Sequence, residues 1–211
     1  MKLVLRINQQ LSNYNVVTLS DGDSLDGQDI KDLDYHQATA KGVSITGSRL
    51  ERVQLAEGNI PNLNLTDVVL KDCQTYGSDL DDARWRRVEV TGGIHSGIAL
   101  TRTRLQEVVF SGLKANLANF RAAHLYKVEF TDCNLIEADF NGASLHGVRF
   151  IRCDLTRASF DGATFKDVSF PGSNLADLRG VTSLKGATID AGQLMALAPV
   201  LALSIGIKIE K

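Results

Sequence analysis

Between Leu25 and Leu175 an apolar residue recurs at every fifth position. Of the 31 positions divisible by five in that span, only Thr75 and His95 are polar, and all eight phenylalanines, Phe110 to Phe170, fall on this comb. A second comb two residues earlier carries small or β-branched residues, among them Ala118, Ala138, Ala158, Val128, Val148, Cys133 and Cys153. The other three positions of each five are mostly polar. A period of five suits neither an α-helix, which would smear the apolar residues around its surface, nor a flat strand, which would alternate their faces. It requires a backbone that regains its orientation every five residues, with residues i and i−2 both inward. A short extended piece plus a turn does this, and Asn141-Gly142 and Asp161-Gly162 supply turn chemistry.

Four such pieces make one square coil of 20 residues, and the longer period is also visible. The segments from Leu125 and from Leu145 both read LxxVxFxxC[ND]LxxAxFxGA[ST]. Val108, Val128, Val148 and Val168 recur every 20 residues, as do Phe110, Phe130, Phe150 and Phe170. Stacked at ~4.8 Å, such columns form ladders of like side chains inside the coil. The phase never slips between Leu25 and Leu175, so no inserted loop interrupts the stack. About eight coils would make a rod about 38 Å long. Hexapeptide and leucine-rich solenoids, with periods of about 6 and about 20–29 residues and other consensus positions, fit worse.

The segments at 118–122, 138–142, 158–162 and 163–167 (ANFRA, ADFNG, ASFDG, ATFKD) match the loose consensus A[DN]LxX. On them the chain resembles the pentapeptide-repeat family. The resemblance implies an all-β solenoid, the right-handed quadrilateral β-helix, over residues 25–180.

Solenoids need caps at their open ends. Residues 1–24 lack the comb, and KLVLRI and NVVTL there read as short strands of an N-terminal cap. In residues 181–211, Asp190 can cap a helix starting near Ala191. Leu194, Met195, Leu197, Leu201 and Leu203 would be its apolar face, Pro199 should bend or divide it, and Ile205, Ile207 and Ile209 alternate as in a strand. This tail is more apolar than the end of a thin rod can bury. It therefore serves either as a cap alone or as a cap and a homodimer interface built from those eight residues. Its acidic helix start, Gln193, Ala/Leu-rich helix and Gly-Ile-x-Ile finish resemble the ends of the quinolone-resistance (Qnr-type) and mycobacterial MfpA pentapeptide proteins. That likeness implies dimerisation through this region and binding to DNA gyrase, a type II topoisomerase, by imitation of duplex DNA.

The charge pattern speaks against so specific a role. Lys and Arg total 23 against 25 Asp and Glu, a net charge of −2 that does not mark a nucleic-acid binder. A DNA mimic needs a sustained acidic face. The face centred on 25, 45 and 65 is net positive, and the other three mix acids with bases. The projecting loops of Qnr-type proteins also have no counterpart in the unbroken phase. A scaffold or binding module for another protein is the leading expectation, and a topoisomerase-binding mimic the alternative. No window is apolar enough to span a membrane, and the N-terminus has too short an apolar run for a signal peptide. Three cysteines without CxxC spacing read as free thiols in a reducing cytoplasm.

A filled square rod offers no concave pocket, and the sequence has no phosphate loop, HExxH or GxSxG, so neither catalysis nor a cofactor is expected. The partner-binding candidates are Asp79, Asp81, Asp82, Arg84, Arg86 and Arg87, a mixed cluster expected to neutralise itself, and Thr75 with His95, the polar breaks in the comb. Cys73 and His95 could be paired as metal ligands, but two ligands do not make a site. His95 is expected to point outward or to bond a backbone group on a distorted face. Cys133 and Cys153 should stack on adjacent coils, and His36, His124 and His146 sit outside the combs.

Overall fold

The computed structural model describes residues 11–13 and 18–208. It is a parallel solenoid in which, from Ser24 to Arg179, paired residues lie 20 positions apart. The strands are β1 (Ser12–Asn13), β2 (Ser24–Asp26), β3 (Gln28–Lys31), β4 (Ser44–Thr46), β5 (Arg49–Glu51), β6 (Asn64–Lys71), β7 (Arg84–Thr91) and β8 (Arg104–Ser111). They continue with β9 (His124–Thr131), β10 (Ser144–His146), β11 (Arg149–Ile151), β12 (Thr164–Lys166), β13 (Val168–Ser169) and β14 (Ala187–Thr188). These strands build two adjacent faces of the square, and β6 to β9 turn the corner between them without a break. The other two faces are held by single parallel bridges, as in Asp34↔Gln54↔Gln74 and Thr39↔Asn59↔Asp79.

The corners explain the period. At every position from 22 to 177 that lies two past a multiple of five, φ is positive. At most central residues of the bridge-built faces, the amide three residues on donates back to the central carbonyl, as Ala138 does to Leu135 at 3.0 Å. A four-residue turn with its third residue left-handed is the type II arrangement, which favours glycine there. Gly142, Gly147 and Gly162 oblige, but Asp, Arg, Glu, Lys, Leu117 and Ala122 hold other corners. The inter-coil backbone ladder on either side over-determines the conformation at those non-glycine corners.

The interior is one continuous apolar core from Leu25 to Leu178. In its second half the phenylalanines form two columns. Phe110, Phe130, Phe150 and Phe170 stack at 4.8–5.1 Å, and Phe120, Phe140 and Phe160 at 4.8–4.9 Å. The columns meet edge to face at 5.6–6.3 Å, the favoured aromatic geometry. The first half is mostly aliphatic, and about 40 Å³ of void runs among its residues, such as Leu55, Leu80, Trp85 and Leu100, and on to Phe130 and Leu135.

At the far end a 3-10 turn, Val181–Leu184, replaces a strand, and β14 pairs with β13 one residue out of phase, Val168↔Ala187. Helix α1, Ala191–Ser204, follows; Asp190 caps it, and Gln193 returns the bond to the Asp190 amide. Of the bend or division expected at Pro199 the division is absent, and the strand expected after the helix is corrected. The helix runs undivided through Pro199, because the carbonyl that loses its donor belongs to Met195, an exposed residue that water can serve. Ile205 and Ile207 form no strand. Gly206, at φ 82, donates to Leu203 and Ile207 donates to Ala202, so the chain folds back on the helix end as a Schellman cap. Ile209 and the segment KLVLRI lie outside the described residues, as does most of NVVTL; β1 pairs with β3 ahead of the first coil.

Candidate functional site

Many corner residues are charged, and along the edges of the rod an acid of one coil commonly faces a base of the next. Arg52 binds Asp32 through Nε (2.6 Å) and a terminal nitrogen (2.8 Å), and Arg152 binds Asp132 in the same way. Arg157 pairs with Glu137, Arg87 with Asp67, and Arg149 with Glu129. Each pair spans one coil, 20 residues. These guanidinium bonds hold the Asp32, Asp82 and Asp132 carboxyls below their ordinary range.

The cluster at 79–87 is therefore not neutralised within itself, as the sequence suggested. Asp81 and Asp82 are both held by Arg102 from the next coil, at 3.1 and 2.9 Å. Asp79 accepts from the Asp81 amide and shapes the local turn. Arg87 reaches back a coil to Asp67. Arg84 and Arg86 flank Trp85 on β7, exposed and with no hydrogen-bonded acid among the described residues. In register with Arg84 on β8 stands Arg104, also exposed and without one. Sequence reasoning missed Arg104; the signal was its 20-residue offset from Arg84 with no acid between them in the column.

Thr75 and His95 point inward, which corrects the outward reading of the histidine; its backbone bond is present. His95 is 5 % exposed. Its Nδ1 accepts from the Thr75 hydroxyl at 2.8 Å, and its Nε2–H donates to the Gly92 carbonyl at 3.0 Å. Glycine at 93 leaves room for both neighbours, since a Cβ there would collide with the Cys73 carbonyl and crowd His95 Nε2. Burial pushes the imidazole pKa down, so the ring is neutral and both nitrogens are occupied. The Cys73 sulfur faces the Leu50 and Lys71 carbonyls instead, and burial raises its pKa to about 11.

One inward column performs a single task along the rod. The Cys133 thiol donates to Phe110 O, Cys153 to Phe130 O, and Ser173 to Phe150 O. Gln193, 20 residues on, donates to Phe170 O at 2.6 Å and to Ser173 O at 2.8 Å. The helix thus closes the rod by supplying the next member of the column. Leu197 is buried against the end and Val200 and Leu201 half-buried, whereas Leu194, Met195, Leu203, Ile205 and Ile207 are exposed.

Two models of the pentapeptide-repeat family match the sequence: pentapeptide repeats in nine copies over residues 130–174, and in eight copies over 103–142. No curated protein matches the chain significantly. Among solved structures, full-length QnrB1, a plasmid-mediated fluoroquinolone resistance protein, is 19% identical. The match covers 89% of this chain and 100% of that one, with a TM-score of 0.44. HetL, involved in heterocyst differentiation regulation in the cyanobacterium Nostoc sp. strain PCC 7120, is 18% identical over 82% of this chain and 91% of its own, with a TM-score of 0.37. A protein of the Arabidopsis thaliana thylakoid lumen is 26% identical over 51% of this chain and 72% of its own, with a TM-score of 0.34. Residues 103–174 match the pentapeptide-repeat family, and the five-residue comb and 20-residue coil carry the same repeat fold from Leu25 to Leu175.

Proposed function

We propose that the chain is a non-enzymatic protein-binding rod that self-associates through its C-terminal end. The observation that carries this reading is helix α1, which has apolar residues on two sides. Leu197, Val200 and Leu201 close the rod, while Leu194, Met195, Leu203, Ile205 and Ile207 remain in water, Met195 at 75 % exposure. A two-fold, end-to-end contact buries such a patch on both copies at once. The rest of the rod supports a role in presentation rather than chemistry. Its faces are flat, and its inward polar pair, Thr75 and His95, is closed on itself and on Gly92. The three cysteines are reduced and buried, consistent with a place in the cytoplasm.

Light scattering at low micromolar concentration tests the reading. The expected mass is about 46 kDa, twice the 22.9 kDa of one chain, falling to the single-chain value in Met195→Glu/Leu203→Glu. A wild-type mass near 22.9 kDa sinks the dimer. The alternative, a DNA mimic for a type II topoisomerase, draws on the C-terminal resemblance but is opposed by the edge ladders. Asp32, Asp82, Asp132 and Glu137 each face an arginine rather than a partner, which breaks up the acidic surface such a mimic needs. A supercoiling assay with titrated protein that shows gyrase inhibition would reverse that ranking.

A further inference from the structure

The arginines of the rod fall into two sets. Arg52, Arg87, Arg102, Arg121, Arg149, Arg152 and Arg157 each bind a carboxylate. Among the described residues, Arg84, Arg86 and Arg104 bind none, and they adjoin one another; Arg49 and Arg179 also have no bound acid there, but stand singly. Arg84 and Arg104 are register partners on β7 and β8, about 4.8 Å apart along the rod, and Arg86 lies about 6.8 Å from Arg84 on the same side of the strand. The nearest acid in sequence, Asp82, is already held by Arg102. The outward positions of this face carry no Asp or Glu from Asn64 to Lys166. Three guanidiniums held this close on a rigid sheet repel one another, and nothing in the fold requires them there. An anion that spans them relieves the repulsion.

On this basis we infer that Arg84, Arg86 and Arg104 form a docking surface for an acidic segment of a partner protein. The inference rests on the reading of the chain as a protein-binding rod and gives the partner's chemistry. Alternate carboxylates of an extended acidic segment lie about 6.8 Å apart, the spacing of Arg84 and Arg86, and each guanidinium can fork onto one carboxylate. A single-stranded nucleic acid fits less well, because it needs free aromatic faces to stack on. Tyr126, the exposed aromatic ring of this face, is occupied. Lys127 Nζ lies over it at 5.2 Å, and His146 meets it edge to face at 5.1 Å.

Fluorescence anisotropy with the full chain tests this, using a labelled octaglutamate peptide and a labelled octathymidylate. The two variants, checked for the same far-ultraviolet dichroism and mass as wild type, are Arg84→Gln/Arg86→Gln/Arg104→Gln and the charge-matched Arg52→Gln/Arg152→Gln/Arg157→Gln. Octaglutamate binds, loses affinity by about tenfold or more in the first triple variant, and changes by less than about twofold in the second. Raising salt from about 50 mM to about 200 mM weakens the binding. Absence of octaglutamate binding, equal losses in both variants, or tighter binding of octathymidylate each overturns the inference. A chain that scatters as a dimer yet ignores octaglutamate loses this inference alone; a chain that scatters as a monomer loses the self-association reading whatever the peptide does.

Discussion

At the scale of single residues, the breaks in the repeat are the informative positions. The comb marks Thr75 and His95 as odd but cannot give their direction, because direction depends on Gly93. A side chain at 93 would collide with the Cys73 carbonyl and crowd the imidazole Nε2, so the glycine eases the ring's place inside the coil. This burial has a consequence for pH. His95 is neutral in the fold and burial pushes its pKa below the ordinary value, whereas in the unfolded chain it titrates near 6.5. Below about pH 6.5 the unfolded state therefore binds the extra proton and stability falls, by at most about 1.4 kcal/mol per pH unit for one group. Above that pH the group contributes no slope. Thr75→Val/His95→Leu removes the titrating group and its partner together, leaving no hydroxyl stranded. Melting temperatures measured between about pH 7 and about pH 5 should fall less steeply in this variant than in wild type. An unchanged slope would mean that His95 is reached by solvent.

At the scale of elements, the coils were legible in the sequence because five-residue and 20-residue periods are direct images of the backbone. What filled each column was less so. Acids and bases at corner positions looked interspersed when summed face by face. Their alternation along an edge, as in Asp67, Arg87, Glu107 and Lys127, appears only when residues 20 apart are compared. In the sequence the closing helix reads as an apolar stretch, and the role of Gln193 within it is not legible. Gln193 continues the column of Cys133, Cys153 and Ser173, and it satisfies two carbonyls of the last coil as well as the Asp190 amide. Gln193→Leu keeps the volume but strands those groups at a buried position. The expected cost is about 2–3 kcal/mol, with the helix lost before the coils. Chemical denaturation followed by helical dichroism checks it: if the variant melts with the wild-type midpoint, the rod end does not depend on Gln193.

At the scale of the whole molecule, a solenoid has no centre, so its stability is a sum of coils and the contacts between neighbours. The coils of this rod are unequal. From Phe110 to Phe170 every coil adds stacked rings in two columns, and Gln193 closes the end. From Leu25 to Leu100 the columns are mostly aliphatic, the void runs among them and on as far as Leu135, and among the described residues the Trp85 indole N–H has no partner. Each aromatic pair contributes about 0.5–1.5 kcal/mol beyond its buried area. Over several pairs the phenylalanine half gains a few kcal/mol on the aliphatic half, enough for the two to open separately if coupling between coils is weaker than that difference. Hydrogen exchange should then protect the amides of β9 and β11 more than those of β4 and β5 by about a hundredfold, and opening should begin at the N-terminal coils. The same gradient places the most rigid coils beside the proposed self-association end, where a dimer would stabilise them further, and leaves the proposed arginine surface on β7 and β8 at the junction of the two halves. Uniform exchange from β4 to β11 would instead make the rod a single cooperative unit, with inter-coil coupling larger than the difference in packing.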